Sequence, residues 1–230
     1  MGATASPETR SRGGRPRDGH RSGKRRTLIY RITHIVNVPW ILDNGLHALS
    51  TGHQDPNFVP IGNPDLIDKR QYRLVEAGLR GVLDDYVPFY FGTHSAMLYN
   101  IHTGRVVGVD ATQRDLVHLV SSVEQIQNAG VPFIFTDRHA YVANAEFFTN
   151  VEDLNRLDWD LIRSRDFRRD PNRPDKLERR AAEFLIHRHL PVTGLLGMAC
   201  YDGATCARIR AEVVQRGFDL HVEARRNWYF

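Results

Sequence analysis

Hydrophobic positions in this sequence form short runs that alternate with polar segments. Residues 28–35 alternate between apolar and polar positions and are rich in β-branched and aromatic side chains, which predicts a β-strand. Residues 86–91, 114–122 and 131–136 predict three more strands. The proline at position 88 indicates that the second of these four strands lies at an edge of its sheet or contains a bulge.

The second half of the chain continues this pattern. The apolar run 184–192 predicts a buried strand that ends near Pro191, further strands are predicted at 195–200 and 219–222, and residues 227–230 are an aromatic end. Short helices are predicted at 37–43, 65–76, 122–128, 140–148, 154–162 and 204–216. Asn37 is expected to cap the first helix, and Ile209 and Val213 are expected to face the core from the last. Short strands separated by single short helices favour an α+β fold over a doubly wound sheet.

Composition divides the chain into two parts. Residues 1–26 carry eight Lys or Arg against Glu8 and Asp18, a net charge of +6, so the rest carries −2 of the total of +4. The first part is poor in aromatic and β-branched residues, which predicts a disordered basic tail. Residues 27–230 are long enough for a single domain. Any anion-binding surface on this domain must therefore be a local patch.

Other patterns narrow the class of protein. No apolar run approaches the ~18 residues that span a bilayer, and the basic N-terminus lacks the apolar segment of a secretory signal. Cys200 and Cys206 match neither a redox CxxC motif nor a zinc site, so both are expected to be reduced in a cytoplasmic protein. The chain contains neither the GxGxxG nor the GxxxxGK[ST] motif, which argues against Rossmann and P-loop nucleotide binding.

Glu183 is a candidate for chemistry because it lies between two contrasting segments. Five arginines lie upstream within 163–173, and the apolar run begins directly after Glu183. A carboxylate at the mouth of a strand, beside a cationic loop, can stabilise a developing positive charge next to an anionic substrate. The alternative is a solvated glutamate in an ion pair at a helix end, and the local pattern alone favours this alternative.

The other polar candidates also have ordinary structural explanations. His34 at a strand end can be a hydrogen-bonded structural histidine, and Lys69 and Arg70 can form a solvated helix face. His187 and His189 alternate onto one face of a strand, but no third ligand is evident, so no metal site is predicted.

Taken together and in order, these segments resemble the DarT family, the DNA ADP-ribosyltransferase toxins of bacterial toxin–antitoxin systems. The resemblance spans residues 28–230 and leaves out only the tail. The segments that carry it are 30–39 (YRITHIVNVP), 41–42, 45–46, 61–62, 69–70, 85–91 (DYVPFYF), 97–99, 137–140 (DRHA), 179–185 (RRAAEFL) and 228–230 (WYF).

The resemblance implies an ADP-ribosyltransferase fold of two packed, split β-sheets with short helices, and NAD as co-substrate in the cleft. It implies that Glu183 and Arg70 are catalytic and that residues 49–70 cover NAD. The cofactor-binding residues it implies are Arg31, Ile32, Thr33, His34, Asn37, Arg70, Tyr90 and Met97. It implies contacts to single-stranded DNA from His139, Arg165, Arg168 and Arg169, and a macrodomain antitoxin of the DarG type as partner. Arg31 departs from the family, because relatives often have histidine there.

The chemistry of this family suits these residue types. Breaking the bond between nicotinamide and ribose gives a transition state like an oxocarbenium ion, which Glu183 can stabilise through a ribose hydroxyl. The same carboxylate can also help to remove the proton from the attacking base nitrogen. Arg70 can neutralise the pyrophosphate or orient the acceptor, but it cannot act as a base, because arginine stays protonated. Phe167 or Trp159 can stack on an unpaired base.

Three functional hypotheses follow. The first is a toxin that transfers ADP-ribose from NAD to a base, thymine by preference, in single-stranded DNA and so blocks replication. The second keeps the fold but transfers ADP-ribose to RNA or protein. The third is a non-catalytic nucleic-acid-binding module that uses the basic tail and the arginine-rich segment.

Overall fold

The computed structural model describes residues 1–2 and 26–230, so the predicted disordered tail lies almost entirely outside the described residues. The strands are β1 (Leu28–His34), β2 (Leu46–His47), β3 (Tyr86–Tyr90), β4 (Leu116–Ser122), β5 (Phe133–Thr136), β6 (Phe147–Phe148), β7 (Glu183–His187), β8 (His189–Leu190), β9 (Gly197–Cys200) and β10 (His221–Ala224). The α-helices are α1 (Val38–Asn44), α2 (Pro64–Arg70), α3 (Ala96–His102), α4 (Val123–Asn128), α5 (Trp159–Arg163), α6 (Lys176–Arg180) and α7 (Gly203–Gln215).

Within the described residues, eight strands form one sheet in the order β10-β9-β4-β1-β3-β7-β5-β6, and β2 pairs with β8 in a small second sheet. The large sheet has little strand pairing at its centre. β1 pairs with β4 along its whole length, but β1 and β3 share a single pair, Tyr30 with Tyr90. The large sheet therefore consists of two four-stranded halves that part at the junction of β1 and β3. This arrangement confirms the predicted α+β class and the split sheet, with the two halves still joined at one pair.

This split explains where the proline of β3 lies. Pro88 was expected at a sheet edge or a bulge, yet β3 lies in the middle of the strand order. Pro88 pairs with Leu185 of β7 on one side, and no ladder with β1 extends to it on the other. The missing N–H of proline is tolerated here because the two halves have already separated.

Most predicted elements are present, and the differences have local causes. The helix predicted at 65–76 ends at Arg70. The helix predicted at 140–148 is wrong, because this segment turns and then pairs with β5 as β6. The aromatic end begins with a 3-10 turn, Arg226–Trp228. Tyr229 then anchors the chain end, because its buried hydroxyl bonds to the carbonyl groups of Leu116 and Ala199.

The largest hydrophobic cluster packs α1, α4 and α7 against the sheet. Ile209 and Val213 of α7 are buried in it, as the amphipathic pattern predicted. Cys200 and Cys206 lie in the same cluster and are both free thiols. Gly45 ends α1 with a positive φ of 81°, and a side chain there would collide with the Leu190 carbonyl group. None of the helices in the described chain is both long enough and apolar enough to cross a membrane.

Candidate active site

Glu183 lies at the split between the two halves of the sheet. It is the first residue of β7 and is 0% exposed. It pairs with Tyr90 of β3, and Tyr90 pairs with Tyr30 of β1. Glu183 is therefore separated by one strand from the line along which β1 and β3 part, and the hypothesis of a solvated surface glutamate is wrong.

Protein donors hold both oxygens of the Glu183 carboxylate. Arg70 Nη1 donates to Oε2 at 3.0 Å, and the Ala140 backbone N–H donates to Oε1 at 2.9 Å. Burial raises the pKa of Glu183, but the positive charge of Arg70 and these two hydrogen bonds outweigh it, so the pKa lies below its usual value. The carboxylate is thus ionised at neutral pH while fully buried, which suits it to stabilise positive charge.

Helix α2 positions the Arg70 guanidinium beside Glu183. Pro64 opens α2, and the side chain of Asn63 caps it by accepting from the Leu66 N–H at 3.2 Å. Arg70 occupies the last turn, where the helix dipole favours a cation, and it is only 9% exposed. Lys69 next to it is exposed. The expectation of a solvated face therefore holds for Lys69 and fails for Arg70.

Arg31 and Tyr90 complete a charged cluster around Glu183. Arg31 Nη1 donates to the Pro88 carbonyl group at 2.9 Å, across the gap between β1 and β3. Burial, with the nearby charge of Arg70, lowers the pKa of Arg31 to about 10. Burial and the Glu183 charge raise the pKa of Tyr90, so its hydroxyl stays protonated. Two cations and one carboxylate form this cluster, and the Asp84 carboxylate lies close enough to Arg70 for their charges to interact.

Two guanidinium nitrogens in this cluster are buried without a hydrogen-bond partner: Nη2 of Arg70 and Nε of Arg31. Buried charged donors normally have an acceptor, because leaving one unsatisfied costs roughly 1–3 kcal/mol or more. Unused guanidinium donors suit an anionic ligand such as a pyrophosphate. The residues present therefore fit a dinucleotide.

The chain turns sharply at residues 137–140, directly after β5. This corner brings the Ala140 N–H within hydrogen-bond distance of the Glu183 carboxylate. The ladder between β5 and β7 ends at the pair Phe135–Phe184. In place of the next rung, the Thr136 hydroxyl accepts from the Glu183 N–H at 3.1 Å and donates to the Arg138 carbonyl group. This side chain thus ties the start of β7 to residues 137–140.

The same corner is fixed from outside by buried charges. Asp137 accepts from the Arg138 guanidinium at 2.8 and 2.9 Å and from the Glu146 N–H at 3.0 Å. The His139 N–H donates to the Glu178 carbonyl group of α6 at 2.9 Å. His139 Nδ1 lies 3.5 Å from Glu183 Oε1 and accepts from the Tyr141 N–H. The neutral ring therefore carries its proton on Nε2.

Thr136 gives a testable prediction. We expect Thr136→Val to lower kcat about 10- to 100-fold with little change in the KM for NAD, because a misplaced corner moves the Glu183 carboxylate. Thr136→Ser keeps the hydroxyl and should retain kcat. Steady-state rates and urea unfolding of both variants separate the effects. Loss of stability in Thr136→Val with kcat equal to that of Thr136→Ser would make Thr136 purely structural.

The pH dependence of stability tests the ionisation of Glu183. Because its folded pKa lies below the unfolded value of about 4.3, the unfolded chain binds the proton more readily. The stabilisation is thus complete above about pH 4.3 and is lost as pH falls through the folded pKa. We expect the difference in unfolding free energy between wild type and Glu183→Gln to be constant from pH 8 to 5 and to shrink below that range. A difference that grows on acidification would show that burial prevails over Arg70.

The predicted residues on β1 lie on one of the two strands that part at the gap, and those on nearby elements contact β1 or the segment after it. The Asn37 side chain does not cap α1 as expected. Instead its amide exchanges two bonds with the Val59 backbone, at 2.8 and 2.9 Å, and donates to Thr33 Oγ1. Asn37 thereby ties the segment 52–63 to the end of β1. His34 Nδ1 accepts from the Val36 N–H, and Ile32 packs in one cluster with Met97 of α3.

The predicted DNA contacts are not all brought together. His139 lies at Glu183, whereas Arg165, Arg168 and Arg169 lie on the segment between α5 and α6. Arg165 bonds to the Asn227 carbonyl group, Arg168 is paired with Asp166 although 87% exposed, and Arg169 is exposed. The arginine-rich segment is thus partly neutralised by its own carboxylates.

Phe167 is wrongly predicted as a stacking platform for a base. Tyr99 stacks parallel to it with ring centroids 4.3 Å apart, and the Arg180 guanidinium lies 3.8 Å from its centroid. Groups this close must cover opposite faces of the ring, so no face remains. Trp159 is partly exposed and stays a candidate.

The two histidines after Glu183 have separate surroundings. Arg188, with a positive φ of 59°, divides them between β7 and β8. His187 packs on Tyr86, while His189 stacks on His47 with centroids 4.2 Å apart. Among the described residues, no three side chains of the metal-binding types are arranged to hold an ion.

Sequence reasoning missed Thr136 and the Ala140 N–H. Thr136 bonds to main-chain groups of its partners and Ala140 acts through its own main-chain N–H, so residue type alone carries no signal of their role. The local clue was the position of Thr136 at the end of a predicted strand, directly before the segment 137–140.

Comparison with known proteins gives one consistent answer. The family model described as "ssDNA thymidine ADP-ribosyltransferase, DarT" matches residues 30–230. A DNA ADP-ribosyl transferase of Escherichia coli O127:H6 is 43% identical over 205 residues, which cover 89% of this chain and 94% of the relative. A DNA ADP-ribosyl transferase of Thermus aquaticus is 36% identical over 207 residues, 89% of each chain.

Solved structures agree with the sequence relatives. The DarT of Thermus sp. 2.9 in complex with ADP-ribosylated ssDNA superimposes with a TM-score of 0.82 at 33% identity, over 89% of this chain and 96% of that chain. The same protein in complex with NAD+ superimposes with a TM-score of 0.78 at 33% identity. The match covers 90% of this chain and 99% of that chain. The predicted fold and the predicted DNA ADP-ribosyltransferase activity are thereby confirmed. The chain belongs to the DarT family of single-stranded DNA thymidine ADP-ribosyltransferases.

Proposed function

We propose that this protein transfers ADP-ribose from NAD to a thymine base in single-stranded DNA, with Glu183 as the catalytic carboxylate. One observation carries the assignment to Glu183: a fully buried carboxylate, held ionised by Arg70 and the Ala140 N–H, stands beside the split of the sheet. Complexes of the Thermus sp. 2.9 relative with NAD+ and with ADP-ribosylated ssDNA support the choice of both substrates.

The reaction breaks the bond between the ribose anomeric carbon and the nicotinamide nitrogen. Nicotinamide leaves with the bonding electrons, and the ribose acquires positive charge. Glu183 accepts a hydrogen bond from a ribose hydroxyl and stabilises that charge electrostatically. A ring nitrogen of thymine then bonds to the anomeric carbon and loses its proton, for which Glu183 is the nearest base. Each carboxylate oxygen retains a free lone pair for these contacts, because each now accepts one hydrogen bond.

The cations beside Glu183 hold the dinucleotide. Arg70 Nη2 and Arg31 Nε are the unused donors that would bind the pyrophosphate. Ile32, Thr33 and His34 lie on β1, one of the two strands that part at the gap, Met97 packs in one cluster with Ile32, and Tyr90 supplies a protonated hydroxyl. Asn37 acts by holding the segment 52–63 in place, because its amide is bonded to Thr33 and Val59.

The DNA strand approaches from the side of His139. The Nε2–H of His139 is a donor next to Glu183, and the exposed Arg169 is a cation for a phosphate. Arg165 and Arg168 bind a DNA phosphate only where the phosphate displaces their present partners. Those partners are the Asn227 carbonyl group for Arg165 and the Asp166 carboxylate for Arg168.

A cytoplasmic toxin that blocks replication, with a macrodomain antitoxin as partner, is the biological role that this activity fits. A Thermosipho africanus protein named DarTG shares the fold, with a TM-score of 0.72 at 17% identity. This likeness concerns the fold alone, so the antitoxin belongs to our proposal.

The proposal is tested by mass spectrometry of oligonucleotides after incubation with NAD. Single-stranded DNA that contains thymine should gain the mass of one ADP-ribosyl group, and DNA without thymine should not. RNA and protein acceptors in the same mixture test the second hypothesis. A non-catalytic binding module would instead bind DNA independently of NAD and leave every mass unchanged.

A further inference from the structure

We propose that a second groove, separate from the Glu183 cluster, binds nucleotides of the same single strand that lie beyond the immediate neighbours of the target thymidine. The groove has a volume of about 710 Å³, and its walls include Arg26, Arg163, Arg165, Tyr30, Trp159 and Trp228. This inference rests on the proposed function for the identity of the strand. Neither Arg70 nor Arg31 lines the groove, so it is distinct from the site proposed for NAD.

The charge of the groove suits a polyanion. Three arginines line it, and no aspartate or glutamate is found among the described residues of its walls. Arg163 lies over the Trp159 ring, and Arg165 bonds to a backbone carbonyl group, so neither is neutralised there by a carboxylate. Arg168 and Arg173 just beyond it are paired with aspartates. The groove is thus a local cationic patch on a body whose net charge is negative.

The aromatic walls suit unpaired bases. Trp159 is fixed by a bond from its Nε1 to the Leu154 carbonyl group at 2.8 Å and by edge contact with Phe91. Trp228 packs edge-on against Tyr30 with centroids 5.1 Å apart. Tyr30, Trp159 and Trp228 are partly exposed, whereas Phe91, which also lines the groove, is buried. Rigid, half-exposed aromatic rings among free cations are the combination that binds single-stranded nucleic acid without strong sequence preference.

The groove adjoins the site along the sheet. Tyr30 lines the groove and pairs with Tyr90, which in turn pairs with Glu183. Because neighbouring strands are about 4.8 Å apart, the backbones of Tyr30 and Glu183 are separated by about 10 Å. One single strand is long enough to occupy both places at once.

The test uses the full chain and the double variant Arg26→Gln/Arg163→Gln. Both arginines are exposed, so the fold should be unaffected. Arg208→Gln, at an exposed arginine on α7 outside the groove, is the matched control. Initial rates are measured with a trinucleotide centred on thymidine and with a dodecanucleotide that contains it. Binding of the labelled dodecanucleotide is measured by fluorescence anisotropy from 50 to 300 mM NaCl.

We expect the double variant to raise the KM for the dodecanucleotide about tenfold and to reduce the slope of log Kd against log salt by about 1.4, because two phosphate contacts are lost. The KM values for the trinucleotide and for NAD should not change. Equal losses for both lengths, or a salt slope equal to that of Arg208→Gln, would overturn the proposal. If wild type binds the dodecanucleotide through the groove but modifies nothing, the proposed function fails and the groove stands.

Discussion

Replacing Glu183 by glutamine is expected to lower the rate of ADP-ribose transfer to DNA about 10³-fold or more. Glutamine has nearly the same shape, but its single side-chain oxygen can accept from only one of Arg70 and Ala140, and it carries no negative charge to stabilise the oxocarbenium-like transition state. Loss of one preorganised electrostatic group of this kind typically costs about 10²–10³ in rate, and loss of the nearest base adds to it. Single-turnover rates with saturating NAD and DNA measure the chemical step directly.

Binding should survive this substitution. We expect the Kd for NAD to change only a few-fold, because the donors on Arg70 and Arg31 remain. Glu178→Gln on α6 is the matched control, since its half-exposed carboxylate lies outside the cleft and should leave the rate intact. A Glu183→Gln protein with more than a tenth of the wild-type rate would remove Glu183 from the mechanism.

Replacing Arg70 by methionine is expected to cost both stability and activity. The substitution leaves Glu183 buried without its cation, and breaking a buried ion pair from one side typically costs about 3–5 kcal/mol. It also removes a donor for the pyrophosphate, so the KM for NAD should rise. Lys69→Met, at the exposed neighbouring position, is the control and should change neither quantity much. Urea unfolding and steady-state kinetics report the two effects separately.

The double variant Glu183→Gln/Arg70→Met tests why Arg70→Met loses stability. If the loss of stability in Arg70→Met comes from an unpaired buried charge, adding Glu183→Gln should restore part of the unfolding free energy while activity remains absent. Strictly additive losses of stability would contradict a coupled pair at 3.0 Å.

The elements that the sequence predicted well are those whose pattern is local. The alternation in β1 and the apolar positions of α7 at Ile209 and Val213 reflect burial of one face, and both elements are present. The segment 140–148 was predicted as a helix, but it follows a corner fixed by Asp137 and pairs with β5. That outcome depends on contacts with residues that are distant in sequence, and local propensity does not report such contacts.

The residues of the site also differ in how far the sequence could predict them. Resemblance identified Glu183 and Arg70, and the structure places them 3.0 Å apart although 113 positions separate them in sequence. The hydroxyl of Thr136 and the N–H of Ala140 serve the carboxylate through backbone geometry, so their residue types gave no warning. Phe167 was a plausible platform by type, yet Tyr99 and Arg180 cover both of its faces. Only packing decides whether an aromatic ring is free.

The most direct test of the central claim is the mass of a single-stranded oligonucleotide with one thymidine after incubation with NAD and the full chain. The account predicts a gain of one ADP-ribosyl group, located on the thymine base by fragmentation, with wild type and with Glu178→Gln, and no gain with Glu183→Gln within the same time. An unchanged mass with wild type, or a modification that persists at the same rate in Glu183→Gln, would contradict it.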